Sequence, residues 1–232
     1  MNEGYRHAQG NSLFRRLRRA AGEDWRRYAE HDFVAALGTG TLPEACFRHY
    51  LIQDYLFLIH FARAYALAVY KSETLADMRF AARGVEAIIG SEMNLHVAFC
   101  REWGLDEAAM VATPEAPATM AYTRYVLERG MAGDVLDLYV ALAPCMVGYG
   151  EIGWRLAHDP TTRLEGNPYR AWIETYAGAG YQDVVDNTVL NLDRLMAARG
   201  GENRFEALAR TFRDATRLEI GFWDMGLSPL AP

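Results

Sequence analysis

"LAPCMVGYGEIGW", residues 142–154, decides how this chain is read. It lies in an apolar segment that starts near Gly133 and Asp134, a helix-start signal. The segment is apolar on every side, as a helix is when it lies inside a protein. Pro144 stands well past the first helical turn, where it removes the bond to the Val140 carbonyl and disfavours a helix by roughly 3 kcal/mol. The proline therefore predicts a local distortion. Cys145 and Tyr149 are spaced i, i+4 and share a face, with Glu151 on another side. A lone cysteine in such a helix reads first as a small buried hydrophobe. A thiol beside a helix distortion also has a reading as chemistry.

Outward from this stretch the sequence is helix after helix. Ser12 predicts the cap of a first helix running to about Glu30. The break "GTGTLPE" (38–44) follows, then helices over about 44–69, 72–103, 118–129, 133 onward, 167–177, 181–198 and 203–226. No alternating β-branched runs bounded by turn pairs occur, so no sheet is expected. With no linker or composition shift, one domain over 1–232 is the expectation. "GTGTLP" lacks the Gly-Lys-Ser/Thr of a phosphate-binding loop and is read as turn geometry.

Of the 232 residues 51% are hydrophobic and 23% charged, as in ordinary globular chains. A net charge of −6 argues against a nucleic-acid surface. Arg15, Arg16, Arg18, Arg19, Arg26 and Arg27 are interleaved with Phe14, Leu17, Ala21 and Tyr28 at helical spacing, and read as the solvated face of an amphipathic helix. Cys46, Cys100 and Cys145 form neither a disulfide framework nor a metal-type CxxC pair, which suits reduced thiols in a cytoplasmic protein. No signal peptide is read. The longest strongly apolar run, "YLFLIHF" (55–61), is far short of the roughly 20 residues that span a bilayer.

Two carboxylates stand on aromatic helical faces. Asp54 lies among Leu51, Ile52, Tyr55 and Leu56, with Phe57 and Phe61 at i+3 and i+7. A carboxylate there needs a donor or a shifted pKa, since burying it unpaired costs several kcal/mol. A buried salt bridge and a binding site both satisfy that need. Glu219 has Phe222 and Trp223 at i+3 and i+4, which a surface acid beside buried rings also explains. In "SEMNLHVAF" (91–99), Glu92 and His96 are spaced i, i+4. A di-iron bundle needs two Glu-x-x-His copies at i, i+3, so a satisfied core histidine is the reading, with a metal-dependent oxidase as the alternative. Tyr122 and Tyr125 share one helix, and Tyr176 ends another.

The ordered set "GTGTLP", "YLIQDYLFLIHFAR", "EMNLH", "AYTRY", "LAPCMVGYGEIG", "WIETYAG" and "EIGFWDMG" resembles the TenA family (thiaminase II, aminopyrimidine aminohydrolases) across about residues 20–226. The resemblance implies an all-α, haem-oxygenase-like bundle, a homotetramer, and no metal or organic cofactor. It implies Cys145 as nucleophile and Glu219 as acid/base. Asp54 would hold an aminopyrimidine, while Phe57, Tyr122, Tyr149, Tyr176 and Phe222 would line its pocket. Phe57 falls where some members have tyrosine, and Cys145 places the chain in the cysteine branch. The implied reaction is hydrolysis of 4-amino-5-aminomethyl-2-methylpyrimidine to its hydroxymethyl counterpart and ammonia, with thiamine as a second substrate. A non-catalytic binder of thiamine precursors is the remaining alternative.

Overall fold

The computed structural model describes residues 4–8 and 10–228. Among them are twelve α-helices, two short 3-10 turns, one π-helical turn and no strand. The contacts divide the chain into two compact units: Met1–Leu42 with Tyr139–Trp223, and Pro43–Leu138 with Asp224–Pro232.

The first unit opens with α1 (Leu13–Ala21) and α2 (Glu23–Ala29). Ser12 caps α1 by accepting from the Arg15 N–H at 3.2 Å, as its sequence position predicts. The single helix expected up to Glu30 is instead cut at Gly22, whose φ of +53° ends one helix and begins the next. A helix absent from the sequence reading follows, α3 (Asp32–Thr39), capped by His31 Nδ1 accepting from the Phe33 N–H. Gly40 closes it in the left-handed conformation. The last carbonyls of α3, Leu37 and Gly38, accept from Asn167 Nδ2 at 3.0 and 3.1 Å. "GTG" is thus turn geometry.

In the second unit α4 (Glu44–Lys71) carries Asp54. The helix expected from Ser72 begins at α5 (Leu75–Ala87), because Thr74 accepts from the Asp77 N–H at 3.1 Å and gives its hydroxyl to the Asp77 carboxylate at 2.8 Å. That segment is not one α-helix: a π turn over Ile88–Glu92 separates α5 from α6 (Met93–Glu102). A short helix for which the sequence shows no expectation follows, α7 (Glu107–Ala112), capped by Asp106 accepting from the Ala109 N–H at 2.8 Å. α8 (Pro117–Ala132) has proline in its first turn. Gln53 ties its start to α4. The Gln53 side chain accepts from the Ala116 N–H at 2.8 Å and the Thr119 hydroxyl at 2.7 Å, and donates to the Pro114 carbonyl at 3.0 Å.

The quoted stretch lies in α9 (Val135–His158). Asp134 and Asp137 cap its start reciprocally, Asp134 accepting from the Asp137 N–H at 3.2 Å and Asp137 from the Asp134 N–H at 2.8 Å. The distortion expected at Pro144 does not interrupt it, and α9 remains one α-helix through the proline. Packing accounts for this. Leu136, Leu138, Val140, Leu142, Val147 and Ile152 are all essentially buried, at about 1.5–3 kcal/mol each, which outweighs the proline penalty. By length and hydropathy α9 could cross a membrane, but 94% of that apolar window is buried inside the protein, which marks a core helix. After it come α10 (Arg170–Ala177), α11 (Ala179–Ala198) and α12 (Phe205–Leu227).

The arginines of α1 and α2 are less free than a solvated face implies. Arg18 is sequestered against Glu151, Arg16 pairs with Glu202, and Arg26 with Glu23 and Glu30.

Candidate active site

The eight residues singled out from the sequence fall into two groups, one in each unit. Cys145, Tyr149, Tyr176, Glu219 and Phe222 belong to the first, and Asp54, Phe57 and Tyr122 to the second.

From Leu138 to Gly153 every residue of α9 is buried except Cys145. The other two cysteines are buried, and burial pushes the Cys46 thiol up and that of Cys100 to about 11. Both are held as neutral thiols. Only the thiolate is a nucleophile, and an inert structural cysteine is a buried one. Cys145 is the one of the three that is partly exposed.

One turn on, Tyr149 is buried in an aromatic cluster. Its ring lies 5.0 Å from Tyr176 in an edge-on arrangement, 5.8 Å from Trp172 and 5.4 Å from Trp223. Tyr176 also meets Tyr181 edge-on at 4.8 Å. Glycine permits this closeness: a Cβ on Gly153 would stand 2.6 Å from the Tyr176 main chain, so only glycine lets α9 and α10 approach so near. Gln182 fastens the same place, donating to the Gly150 carbonyl at 3.0 Å and the Tyr176 carbonyl at 2.9 Å. On the other side of α9 the Tyr28 hydroxyl donates to the Pro144 carbonyl at 3.2 Å, its ring seated over Gly148. Glu219 is 2% exposed, so the surface-acid reading is corrected. Its helix turns Phe222 and Trp223 inward with it.

In the second unit Asp54 is buried; its Oδ2 lies in hydrogen-bond contact with His96 Nε2 at 2.7 Å and accepts from the Tyr50 hydroxyl at 3.2 Å. His96 in turn points Nδ1 at the Glu92 carbonyl, 2.9 Å away. The satisfied-histidine reading of "EMNLH" holds, and both ring nitrogens are engaged. Among the described residues no group of three or more His, Cys, Asp or Glu side chains could hold a metal ion. Burial is the largest influence on His96 and works against its charge. The hydrogen bond and charge of Asp54, with the charge of Glu92, outweigh it and raise the pKa above 6.5. Beside this group Phe57 packs at 5.0 Å on Tyr122 and at 5.2 Å on Phe61. Sequence reading missed His96 and Tyr50 as partners of Asp54. Tyr50 was legible at i−4 of Asp54, and His96 lay in a quoted motif with no sign of which helix it faces.

The partly exposed thiol of Cys145 lies in the first unit, and the buried carboxylate of Asp54, beside His96 and Tyr50, lies in the second. The sequence model of the TENA/THI-4/PQQC family matches residues 18–228, and the chain belongs to that family. An aminopyrimidine aminohydrolase of Halalkalibacterium halodurans is 34% identical over 203 residues, covering 87% of this chain and 89% of that protein. An uncharacterised protein of Haemophilus influenzae is 44% identical over 204 residues, covering 88% and 93%. A crystal structure described as a TenA family transcription regulator, from Silicibacter sp. TM1040, superposes with a TM-score of 0.89 at 47% identity, covering 94% and 98%. The fold is haem-oxygenase-like: a Shewanella denitrificans domain described by that fold has a TM-score of 0.72 at 13% identity, covering 93% and 92%.

Proposed function

We propose that this protein is a C–N hydrolase of thiamine salvage. It converts 4-amino-5-aminomethyl-2-methylpyrimidine and water to the 5-hydroxymethyl pyrimidine and ammonia, and also cleaves thiamine at the pyrimidine methylene. The observation that carries this reading is Cys145, the one unburied position between Leu138 and Gly153. Relatives named aminopyrimidine aminohydrolase, 31–34% identical over most of the chain, support the substrate class.

The chemistry follows from the residue types. The Cys145 thiolate adds to the pyrimidine ring, forming an S–C bond and pushing an electron pair into the ring. That pair expels the amine from the methylene, and ammonia leaves with a proton. Water adds at the methylene, the electron pair returns, and the S–C bond breaks. Glu219 accepts the thiol proton and returns one to the leaving group. Asp54 holds the aminopyrimidine edge by charge-assisted hydrogen bonds. Phe57, Tyr122, Tyr149, Tyr176 and Phe222 supply aromatic faces, each pair worth about 0.5–1.5 kcal/mol beyond burial. The same resemblance carries a homotetramer and a cytoplasmic location. Light scattering on the purified protein tests the tetramer.

Ammonia release from the aminomethyl pyrimidine, measured beside thiamine cleavage, tests the reading. Absence of both sinks it, and the ratio of the two specificity constants names the better substrate. Glu219→Gln with an unaltered pH–rate profile removes Glu219 from the proton shuttle. As for the regulator description of the Silicibacter relative, this chain's net charge of −6 speaks against a DNA surface.

A further inference from the structure

The His96–Asp54 contact carries an inference that rests on the proposed function. The Glu92 carbonyl only accepts, so the hydrogen bond at 2.9 Å requires a proton on His96 Nδ1. At Nε2, 2.7 Å from Asp54 Oδ2, a further proton lies between the two atoms. A proton on nitrogen makes the pair imidazolium and carboxylate; a proton on oxygen makes it neutral. The Tyr50 hydroxyl, a second donor to the same oxygen, favours the carboxylate. The charge of Glu92 acts in the same direction. α6 packs on α4 and on the π turn. The π turn presents Glu92, whose charge favours the imidazolium. α4 presents Asp54 and Tyr50, and it places Arg48 by Cys100, one turn beyond His96.

The π turn puts the imidazole there. Ala81 and Ile88 are the inward positions of the preceding stretch. In a regular α-helix at 100° per residue, His96 would lie about 80° around from Ile88. The wider turn over Ile88–Glu92 takes up part of that rotation and returns His96 to the buried side.

We propose that His96 is a positioning residue: held between the Glu92 carbonyl and Asp54, it is an imidazolium that keeps Asp54 ionised and in one orientation. An ionised Asp54 accepts only. The site therefore selects an aminopyrimidine edge with two donors, the exocyclic N–H beside a protonated ring nitrogen. A neutral aminopyrimidine must then take up one proton from solvent as it binds, and protonation withdraws electrons from the ring that Cys145 attacks.

Three measurements on the full chain test this. First, imidazole 15N shifts of the wild-type protein near neutral pH should report His96 doubly protonated, and Asp54→Asn should return it to the neutral form. A neutral His96 in the wild type overturns the proposal whatever the activity. Second, calorimetric titration of Cys145→Ala with the hydroxymethyl pyrimidine, in buffers of different ionisation enthalpy, should show uptake of about one proton above the ligand's own pKa. Adding His96→Gln, which keeps a donor without the charge, should abolish it, since Asp54 then already carries a proton. Unchanged uptake overturns the proposal. Third, His96→Gln should lower kcat/KM about 10- to 100-fold and move its pH profile. Wild-type hydrolysis with an unaltered variant overturns the positioning role alone, whereas no wild-type hydrolysis overturns the functional reading and the role with it. If His96→Gln fails to fold, Tyr50→Phe, which removes the other Oδ2 donor, should reduce the proton uptake at a given pH without abolishing it, and no change there counts against the proposal.

Discussion

Glu151 on α9 and Asp54 on α4 are both carboxylates buried in long apolar helices, and they are satisfied in opposite ways. Glu151 accepts two parallel bonds from Arg18, at 2.6 and 2.9 Å, and one from the Trp25 indole at 3.2 Å. Arg18 is itself only 11% exposed, and the planar fork of its guanidinium matches the carboxylate. Asp54 has a histidine and a tyrosine, and both meet the same oxygen. The first arrangement is a fork that locks α1 to α9. The second brings two side chains to a single carboxylate oxygen, Oδ2.

The comparison can be broken at several points. The largest effect expected is on chemistry: Cys145→Ala should lose at least about 10⁴-fold in kcat for ammonia release while its thermal unfolding stays close to wild type. Near-normal turnover would remove the thiol from the mechanism. Glu151→Gln should destabilise the fold by about 3–5 kcal/mol, because it strands the Arg18 charge. Its kcat/KM per folded molecule should hardly change, and a loss of activity without a loss in denaturant midpoint would make Glu151 functional after all. Asp54→Asn should show the reverse, a fall in kcat/KM on the order of 100-fold from weakened charge-assisted bonds. Gly148→Ala should cost about 1–3 kcal/mol by overpacking against Tyr28, read from urea unfolding.

The smallest effect concerns pH. His96 has its pKa raised in the folded protein, so its stabilisation is complete below the unfolded value of 6.5 and is lost as pH rises through the folded one. The unfolding free-energy difference between wild type and His96→Gln should therefore shrink as pH rises above about 6.5. Comparison with the variant is needed because burial lowers the pKa of His7, His49 and His60, whose contributions run with the opposite sign. A difference that is flat with pH would mean His96 titrates alike folded and unfolded.

Much was legible in local pattern. Ser12 as a cap, the Asp134 start of α9, the turn at "GTG" and the all-helical class rest on short-range chemistry, and the structure repeats them. The break at Gly22 and the helix α3, capped by His31 and closed by Gly40, rest on local turn chemistry that the helical period of the segment masks. The π turn at Ile88–Glu92 and the continuous course of α9 through Pro144 are set by what each segment packs against. The identical rule applies to the candidate site. Asp54 and Glu219 were visible as acids on aromatic faces, yet whether each is exposed, paired or poised could not be read from spacing. Helical periodicity orders residues within 5–10 Å along one element and is silent about the neighbour.

By itself, then, the sequence determined the helices, the apolar character of α9 and the residue types that nucleophilic and carboxylate chemistry require, because these depend on backbone propensity and period. Tertiary structure alone decided that Cys145 is the position left unburied among its neighbours, and that His96 rather than arginine meets Asp54. Accessibility and pairing are properties of the space between helices, where residues 42 positions apart in the chain come within 2.7 Å.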